Sequence, residues 1–269
     1  MAKNKNNQEG DNIMKLNEEV LEKIKRIMRG GVSLREIEEI VLQEAMMEER
    51  EAYLEVEDDD KNGTYFRYLR TEEGVLRLRV PRTRKGGFRP KILPEKYERT
   101  SNYEEFLHEL ILSTTPVQVK SVLKEIPYSE AMMDRVADRI FKKLNELRTK
   151  ELPHDLLALY VDVKFVKSRE NKSMAERAVY VAIGLDPDGN KSVLGFDVKD
   201  REDLDGWKSF LSGLANRGLN KVDVVVSDNF PGLDKVIATV FPSSFHLTLS
   251  SDELNEGYPR KGEKVKSQN

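Results

Sequence analysis

Two aspartates occupy positions at which a strand pattern does not explain a carboxylate. Asp162 lies among strand-forming residues in the middle of residues 156–166, and Asp228 directly follows the apolar run at residues 222–227. We therefore expect Asp228 at the carboxyl end of a buried strand, where α/β sheets bind ligands. Each residue also has a plainer explanation: Asp162 can face solvent, and Asp228 can start a turn or cap the next helix.

Two such carboxylates would act together if their strands were neighbours in a sheet. Oxygen ligands of this kind suit a hard divalent cation, Mg²⁺ or Mn²⁺, and we take Asp162 and Asp228 as candidate catalytic and metal-binding residues. Metal ions held in this way activate the attacking oxygen and stabilise the leaving one in phosphoryl transfer.

The elements around the two acids predict an α/β unit at residues 151–242. Its expected order is three strands, a helix, a strand and a helix, at residues 156–166, 178–185, 192–198, 204–217, 222–227 and 233–240. The strand at 222–227 is almost entirely apolar, as in strands buried on both faces. This order predicts a mixed sheet flanked by helices.

The charges are sorted into blocks along the chain, although the net charge is only −3. Residues 31–60 hold twelve Asp and Glu against two Arg, whereas residues 61–100 hold twelve Lys and Arg against four Glu. The acidic block repels nucleic acid. The basic block has the charge expected of a phosphate-binding element.

The basic block predicts a short β-ribbon at residues 64–80 followed by a basic loop. Apolar residues alternate with arginines, and aromatic residues are interleaved with them, which favours contact with DNA. An ordinary solvated hairpin would show the same alternation. Our candidates for phosphate contacts in and around the loop are Arg82, Arg84, Lys85 and Arg89.

Helices are predicted on both sides of the basic block. Residues 1–12 are expected to be disordered, and the helical region 13–60 to hold two amphipathic helices, at about 13–29 and 33–55, with Ser33 as a candidate cap of the second. Residues 101–150 predict three more helices, compatible with helix-turn-helix DNA binding and equally with any three-helix bundle. The third carries our remaining DNA-binding candidates, which are Arg139, Lys142 and Lys143.

Composition excludes several classes of protein. The chain contains no run of about 18 apolar residues, the length needed to span a bilayer. Its basic start lacks the apolar core of a secretory signal. The chain has no cysteine and three scattered histidines, which excludes disulfides, thiol chemistry and a structural zinc site. We expect a cytoplasmic protein, associated with the nucleoid.

Several segments together resemble the catalytic core of Mutator-type bacterial insertion-sequence transposases. They are Tyr160-Val161-Asp162-Val163, Ala178 to Gly184, Val193-Leu194-Gly195-Phe196, Trp207, Val225-Val226-Ser227-Asp228 with Gly232-Leu233, and Val240-Phe241-Pro242. Arg79-Val80-Pro81-Arg82, Phe88-Arg89-Pro90 and residues 110–113 extend the resemblance into the N-terminal half.

The resemblance implies an RNase-H-like fold and an Asp-Asp-Glu site that holds Mg²⁺ or Mn²⁺. It makes Asp162 the first acid and Asp228 the second. It also implies cleavage and strand transfer at the terminal inverted repeats of the element, with those repeats and target DNA as partners. We expect a homo-oligomer on DNA and no membrane partner.

The chain departs from the family pattern after Pro242. A Cys-x-x-His element, an Arg-Asn pair and a later catalytic Glu are expected there, but residues 243–269 form a divergent polar tail. Glu253 and Glu256 lie in this tail without a helical pattern, and we assign neither as the third acid. We interpret the break as truncation or a frameshift of a transposase, with impaired catalysis.

Two other functions remain open on the sequence. One is a non-enzymatic DNA-binding regulator that occupies the element ends or inhibits full-length enzyme. The other is an RNase-H-like nuclease without sequence preference, for which residues 82–89 would act as a general phosphate clamp.

Overall fold

A computed structural model describes residue 24 and residues 34–71, 74–94, 101–170 and 173–249. Its elements, in chain order, are α1 (Arg35–Val56), β1 (Lys61–Thr71), β2 (Gly74–Thr83), α2 (Ser101–Leu112), α3 (Pro116–Leu123), α4 (Glu130–Thr149), β3 (Asp155–Glu170), β4 (Ser173–Leu185), β5 (Lys191–Lys199), α5 (Leu204–Asn216), β6 (Lys221–Ser227), α6 (Leu233–Val240) and β7 (Phe245–Thr248).

The N-terminal half contains the predicted helix, ribbon and three-helix segment. Strands β1 and β2 pair antiparallel, from Lys61↔Thr83 to Thr71↔Gly74, which confirms the ribbon. Helix α1 begins after Leu34, which makes no side-chain capping bond, and Ser33, the predicted cap, lies outside the described residues. The disordered tail predicted at 1–12, most of the helix predicted at 13–29 and residues 250–269 lie outside the described residues.

Local capping explains where α3 and α4 begin. The Thr115 hydroxyl accepts a hydrogen bond from the backbone of Gln118, and the Gln118 side chain accepts one from Thr115 in return. Ser129 caps α4 by accepting a bond from the Met132 N–H. These breaks match the three helices predicted at residues 101–150.

The C-terminal half is built on a five-stranded mixed sheet in the order β5-β4-β3-β6-β7. Strand β4 runs antiparallel to both β3 and β5, while β6 is parallel to β3 and β7 is parallel to β6. The carboxyl ends of β3, β5, β6 and β7 therefore lie toward the same edge of the sheet. The α/β prediction is confirmed for the mixed sheet with flanking helices.

Strand β7 corrects the predicted C-terminal boundary of this unit. We expected the sheet to end by Pro242 and a polar tail to follow, but β7 pairs with β6 from Val224↔Phe245 to Ser227↔Thr248. The backbone N–H of Leu249 also donates to Ser227. The sheet thus continues past the point at which the segment resemblance stopped.

Helices cover both faces of the sheet. Leu159, Val161 and Val225 point to the face packed by α5 and α6. Tyr160 and Val226 point to the other face, where the apolar residues of the N-terminal helices form one continuous core with the sheet. Helices of the N-terminal half therefore cover this second face of the sheet.

Polar contacts fasten this helical layer to the sheet. Lys191 on β5 pairs with Glu36 of α1 at 2.8 Å, and the Arg148 guanidinium of α4 lies 4.3 Å from the Phe196 ring centre. Arg217 donates to the backbone oxygens of Leu147 and Arg148 at the end of α4. The three-helix segment is therefore a layer of the α/β core. None of the described helices is long and apolar enough to cross a membrane.

The buried carboxylate of Glu49 organises the exit from the ribbon. It accepts hydrogen bonds from the backbone N–H groups of Lys91 (2.5 Å) and Ile92 (3.0 Å) and from the Tyr128 hydroxyl (2.5 Å). Burial raises its pKa, while these three donors act in the opposite direction. One side chain on α1 thus joins the loop after β2 to the start of α4.

We expect Glu49→Ala to lower the free energy of unfolding by about 3 kcal/mol, because one buried and two partly buried donors lose their acceptor. Tyr128→Phe removes one donor and should cost about 1 kcal/mol. Urea denaturation of these variants and of the exposed control Glu57→Ala provides the measurement. A loss for Glu49→Ala no larger than that for Glu57→Ala would contradict this role.

Candidate active site

The parallel register of β3 and β6 brings the two candidate acids to the same place. Tyr160 is the register partner of Val226. Asp162 follows two residues after Tyr160 on β3, and Asp228 follows two residues after Val226, just beyond the end of β6. The prediction that their strands are neighbours is confirmed, and both carboxylates lie toward the carboxyl edge of the sheet.

Asp162 is a buried carboxylate with one visible compensating cation. Its side chain is 9% exposed, its Oδ2 lies 3.1 Å from Lys164 Nζ, and its Oδ1 accepts the Val163 N–H at 2.8 Å. Burial raises the pKa of Asp162, Lys164 opposes this rise, and the nearby charge of Asp228 adds to it. The ionised carboxylate is therefore not fully compensated by its protein neighbours.

Asp228 carries a carboxylate oxygen that lacks a protein partner. Its Oδ1 is buried and has no hydrogen bond among the described residues. The main chain around it is well held, because the Ser227 hydroxyl donates to the Asp228 carbonyl and the Phe230 N–H donates to the same oxygen. Gly232 then adopts a left-handed backbone (φ 87°) that turns the chain into α6.

Ser227 also contacts a histidine contributed by β7. Its Oγ lies 2.9 Å from Nε2 of His246, and burial lowers the pKa of that imidazole. This contact ties the residue before Asp228 to the neighbouring strand. It positions the end of β6 from the side opposite to β3.

Sequence reasoning missed a third carboxylate near this pair, Glu202 in the loop after β5. Trp207 donates its indole N–H to Glu202 Oε1 at 2.9 Å. Burial raises the pKa of Glu202, the Trp207 bond opposes this, and the charges of Asp228 and Asp162 add to the rise. The isolated indole donor five residues later is the sequence signal that could have drawn attention to Glu202.

The loop that carries Glu202 is fixed by Tyr180 on β4. The Tyr180 hydroxyl accepts the Asp203 N–H at 3.1 Å and donates to the Arg201 carbonyl at 3.2 Å. Acidic oxygens thus gather around one edge of the sheet. No group of three or more His, Cys, Asp or Glu with metal-binding geometry occurs in the described part of the chain, so Glu202 is a neighbour of the pair.

The predicted phosphate contacts around the basic loop differ in whether an acidic residue lies beside them. Lys85 pairs with Asp58 at 2.9 Å, and Arg84 lies 3.8 Å from Asp60. Arg82 is exposed, with its guanidinium 5.9 Å from the ring centre of Tyr65. Arg89 is also exposed.

The predicted DNA-binding residues of α4 also differ from one another. Arg139 bonds Glu44 at 2.8 Å and Glu48 at 3.0 Å on α1, so its charge is used within the fold. Lys143 pairs with Glu146 on its own helix, and Lys142 is exposed. Because α1 covers this side of α4, we do not carry Arg139 forward as a phosphate contact.

Comparison with known proteins identifies the relatives of the chain. A family model described as "Transposase, Mutator family" matches residues 4–248. The transposase for insertion sequence IS905 of Lactococcus lactis is 26% identical and aligns with 76% of this chain and 55% of its own length. The IS406 transposase of Burkholderia multivorans is 30% identical, and the alignment covers 80% of this chain and 60% of that protein. The ISRM5 transposase of Rhizobium meliloti is 29% identical, and the alignment covers 78% of this chain and 56% of that protein. The chain thus spans little more than half the length of these relatives.

The environment of Asp162 predicts that its charge destabilises the fold. A raised pKa means that the folded protein binds the proton more tightly than the unfolded chain, so stability falls as pH rises from the ordinary aspartate value through the raised one. Asp162→Asn should therefore increase the free energy of unfolding by roughly 1 kcal/mol at pH 7 to 8.

This gain should vanish below about pH 4, where the wild-type carboxyl is also protonated. Thermal unfolding from pH 3.5 to 8 in metal-free buffer measures it. Asp223→Asn serves as control, because Asp223 lies on β6 next to Lys221. An Asp162→Asn protein less stable than wild type at pH 8 would refute the prediction.

Proposed function

The chain belongs to the Mutator family of transposases, and we propose that it acts as a bacterial insertion-sequence transposase. In this proposal it binds terminal inverted repeats, and Asp162 and Asp228 are the acids of a metal-dependent site for DNA cleavage and strand transfer. The observation that carries the proposal is their convergence at the carboxyl edge of the sheet, where one buried oxygen of Asp228 has no donor among the described residues.

We propose further that the sheet and its helices form an RNase-H-like core. Three antiparallel strands are followed by two parallel ones, in the order β5-β4-β3-β6-β7. The first acid lies on the central strand, and the second follows the strand parallel to it. This arrangement supports the fold that the segment resemblance implied.

The residues of the site fit a divalent metal ion, Mg²⁺ or Mn²⁺. Asp162 and Asp228 supply carboxylate oxygens, the ligands that these cations prefer. The ammonium of Lys164 lies against Asp162, and this contact supports a positive charge at the position. When bound, the metal would polarise the phosphate and activate the attacking oxygen.

The protein groups around the pair would orient it and limit its charge. Lys164 neutralises part of the charge of Asp162, and the Val163 N–H fixes one of its oxygens. Glu202, held by Trp207, adds negative potential that would favour a divalent cation at the pair.

The basic segment after α1 supports DNA as the partner. In this proposal Arg82, Arg89 and Lys142 contact phosphates, because all three are exposed. The protein would assemble as a homo-oligomer on the element ends, in the cytoplasm with the nucleoid. Phosphate contacts position the protein on DNA without reading its sequence.

One observation favours the non-enzymatic regulator as a second candidate. The described residues bring two acids together and contain no three-ligand group, whereas the resemblance implies a triad. An interdependent site with two of three acids loses most of its rate. If the pair acts without a third acid, we expect impaired catalysis while DNA binding persists.

Metal binding by the pair predicts a thermal shift. At a concentration one hundred times its dissociation constant, Mn²⁺ should stabilise wild type by about 2.7 kcal/mol, a rise of several degrees in Tm. Within Asp162→Asn or Asp228→Asn the rise on adding Mn²⁺ should be lost, and Asp223→Asn should keep it. Equal rises in all four proteins would rule out the pair as the site.

Cleavage and binding separate the two candidate functions. We expect the purified chain to bind duplex DNA carrying the terminal repeats of its element, and to nick it negligibly in Mg²⁺ or Mn²⁺. Gel assays with labelled DNA measure both. Strong nicking that disappears in Asp162→Asn would show an active enzyme and contradict the impairment, whereas absence of DNA binding would overturn the proposed function itself.

A further inference from the structure

The outer face of the β1–β2 ribbon combines exposed aromatic rings with arginines. We define this outer ribbon face by Phe66, Tyr68, Arg77 and Arg79, which are cross-strand partners in the pairs Phe66↔Arg79 and Tyr68↔Arg77. Phe66 is 46% and Tyr68 64% exposed, and both arginines are exposed. The opposite face, with Leu76, Leu78 and Val80, is buried against α1.

Phe66 holds two guanidinium groups in place. The Arg77 guanidinium carbon lies 4.1 Å from the Phe66 ring centre, and that of Arg79 lies 5.7 Å from it. Such stacking occupies the flat face of a guanidinium and leaves its N–H groups at the edge free to donate outward. The two arginines are thus partly ordered before any partner arrives, which lowers the entropy cost of binding.

The backbone beneath these arginines is also fixed. The Arg77 N–H donates to Glu39 of α1 at 2.6 Å, which joins β2 to the helix beneath it. Among the described residues, no carboxylate forms an ion pair with the side chain of Arg77 or Arg79. Their positive charge remains available to a partner.

The basic loop differs in this respect, because the acidic residues before β1 already pair with it. Asp58 pairs with Lys85, Asp59 accepts the Lys85 backbone N–H, and Asp60 lies beside Arg84. A phosphate would have to displace these carboxylates at the loop. At the outer ribbon face it would displace no carboxylate of the described residues.

We propose that the outer ribbon face is the principal DNA-contacting surface of the N-terminal half and that it docks on duplex DNA. This inference rests on the proposed function and assigns its contact surface. A two-stranded ribbon fits the major groove, which is about 12 Å wide. Ten residues of strand extend about 33 Å, close to one turn of the duplex.

The ring contacts favour duplex DNA over unpaired bases. Arg77 lies over the Phe66 ring, so that face of the ring is not open to a stacking base. Arginine edges directed outward suit phosphate oxygens and guanine edges instead. An unpaired base that bound to this face would have to stack on Tyr68, its other aromatic residue.

The test measures the affinity of the full chain for a random-sequence 30-base-pair duplex and for one of its single strands, over a range of salt concentrations. We expect Arg77→Gln with Arg79→Gln to weaken duplex binding by about tenfold or more and to reduce the salt slope by about two. Phe66→Leu should weaken binding about threefold with the slope retained, since both charges persist.

The matched control is Arg84→Gln with Lys85→Gln, which removes the same charge from the acid-paired loop and should change affinity less than twofold. All these positions are exposed, and Tm measurements verify that each variant folds. An equal or larger loss in the loop control would overturn the proposal.

Two further outcomes would also overturn it. One is tighter binding of the single strand with Tyr68→Ala as the most damaging change, which would indicate stacking of unpaired bases. The other is unchanged duplex binding in the Arg77 and Arg79 double variant. In that case the proposed function stands and only this surface is wrong, whereas a wild-type chain that binds no duplex refutes both.

Discussion

The parallel pairing of β3 with β6 is the constraint on which the candidate site depends. Two strands far apart in sequence meet in a register that aligns Tyr160 with Val226, and each carries an aspartate two residues later. A shift of β3 by one residue would send the Asp162 carboxylate to the other face. The register is fixed because both faces are buried, with apolar side chains from helices on each side.

The helices on the second face of the sheet have a different role from the DNA binding that the sequence suggested. Residues 101–150 resembled a separate DNA-binding bundle, yet α4 is held against α1 by Arg135 and Arg139 and against the sheet by Arg148 and Arg217. Positive charge in this half therefore serves largely to join layers. The ribbon packs one face on α1 and leaves the other exposed, so this outer face can reach a partner.

Local pattern predicted most of the elements and both acids of the pair. Alternation gave the strands, apolar periodicity gave the helices, and the position of Asp228 after a buried run indicated the edge at which it lies. These features depend on neighbours in sequence, and a single strand or helix expresses them. The strand order required the tertiary structure.

Contacts between distant residues could not be predicted in this way. The acids that neutralise Arg139 lie some ninety residues before it, and the loop of Lys85 is paired by a run about 27 residues earlier. Glu202 joins the site through loop geometry set by Tyr180 and Trp207. Strand β7 was missed because it is four residues long and lies in a polar segment.

The most direct test of the central claim is an anomalous-scattering map from crystals of the full chain grown with Mn²⁺. The account predicts a peak within about 2.3 Å of one carboxylate oxygen from each of Asp162 and Asp228. A site without such a peak, with Asp162 still paired to Lys164 at saturating Mn²⁺, would contradict it.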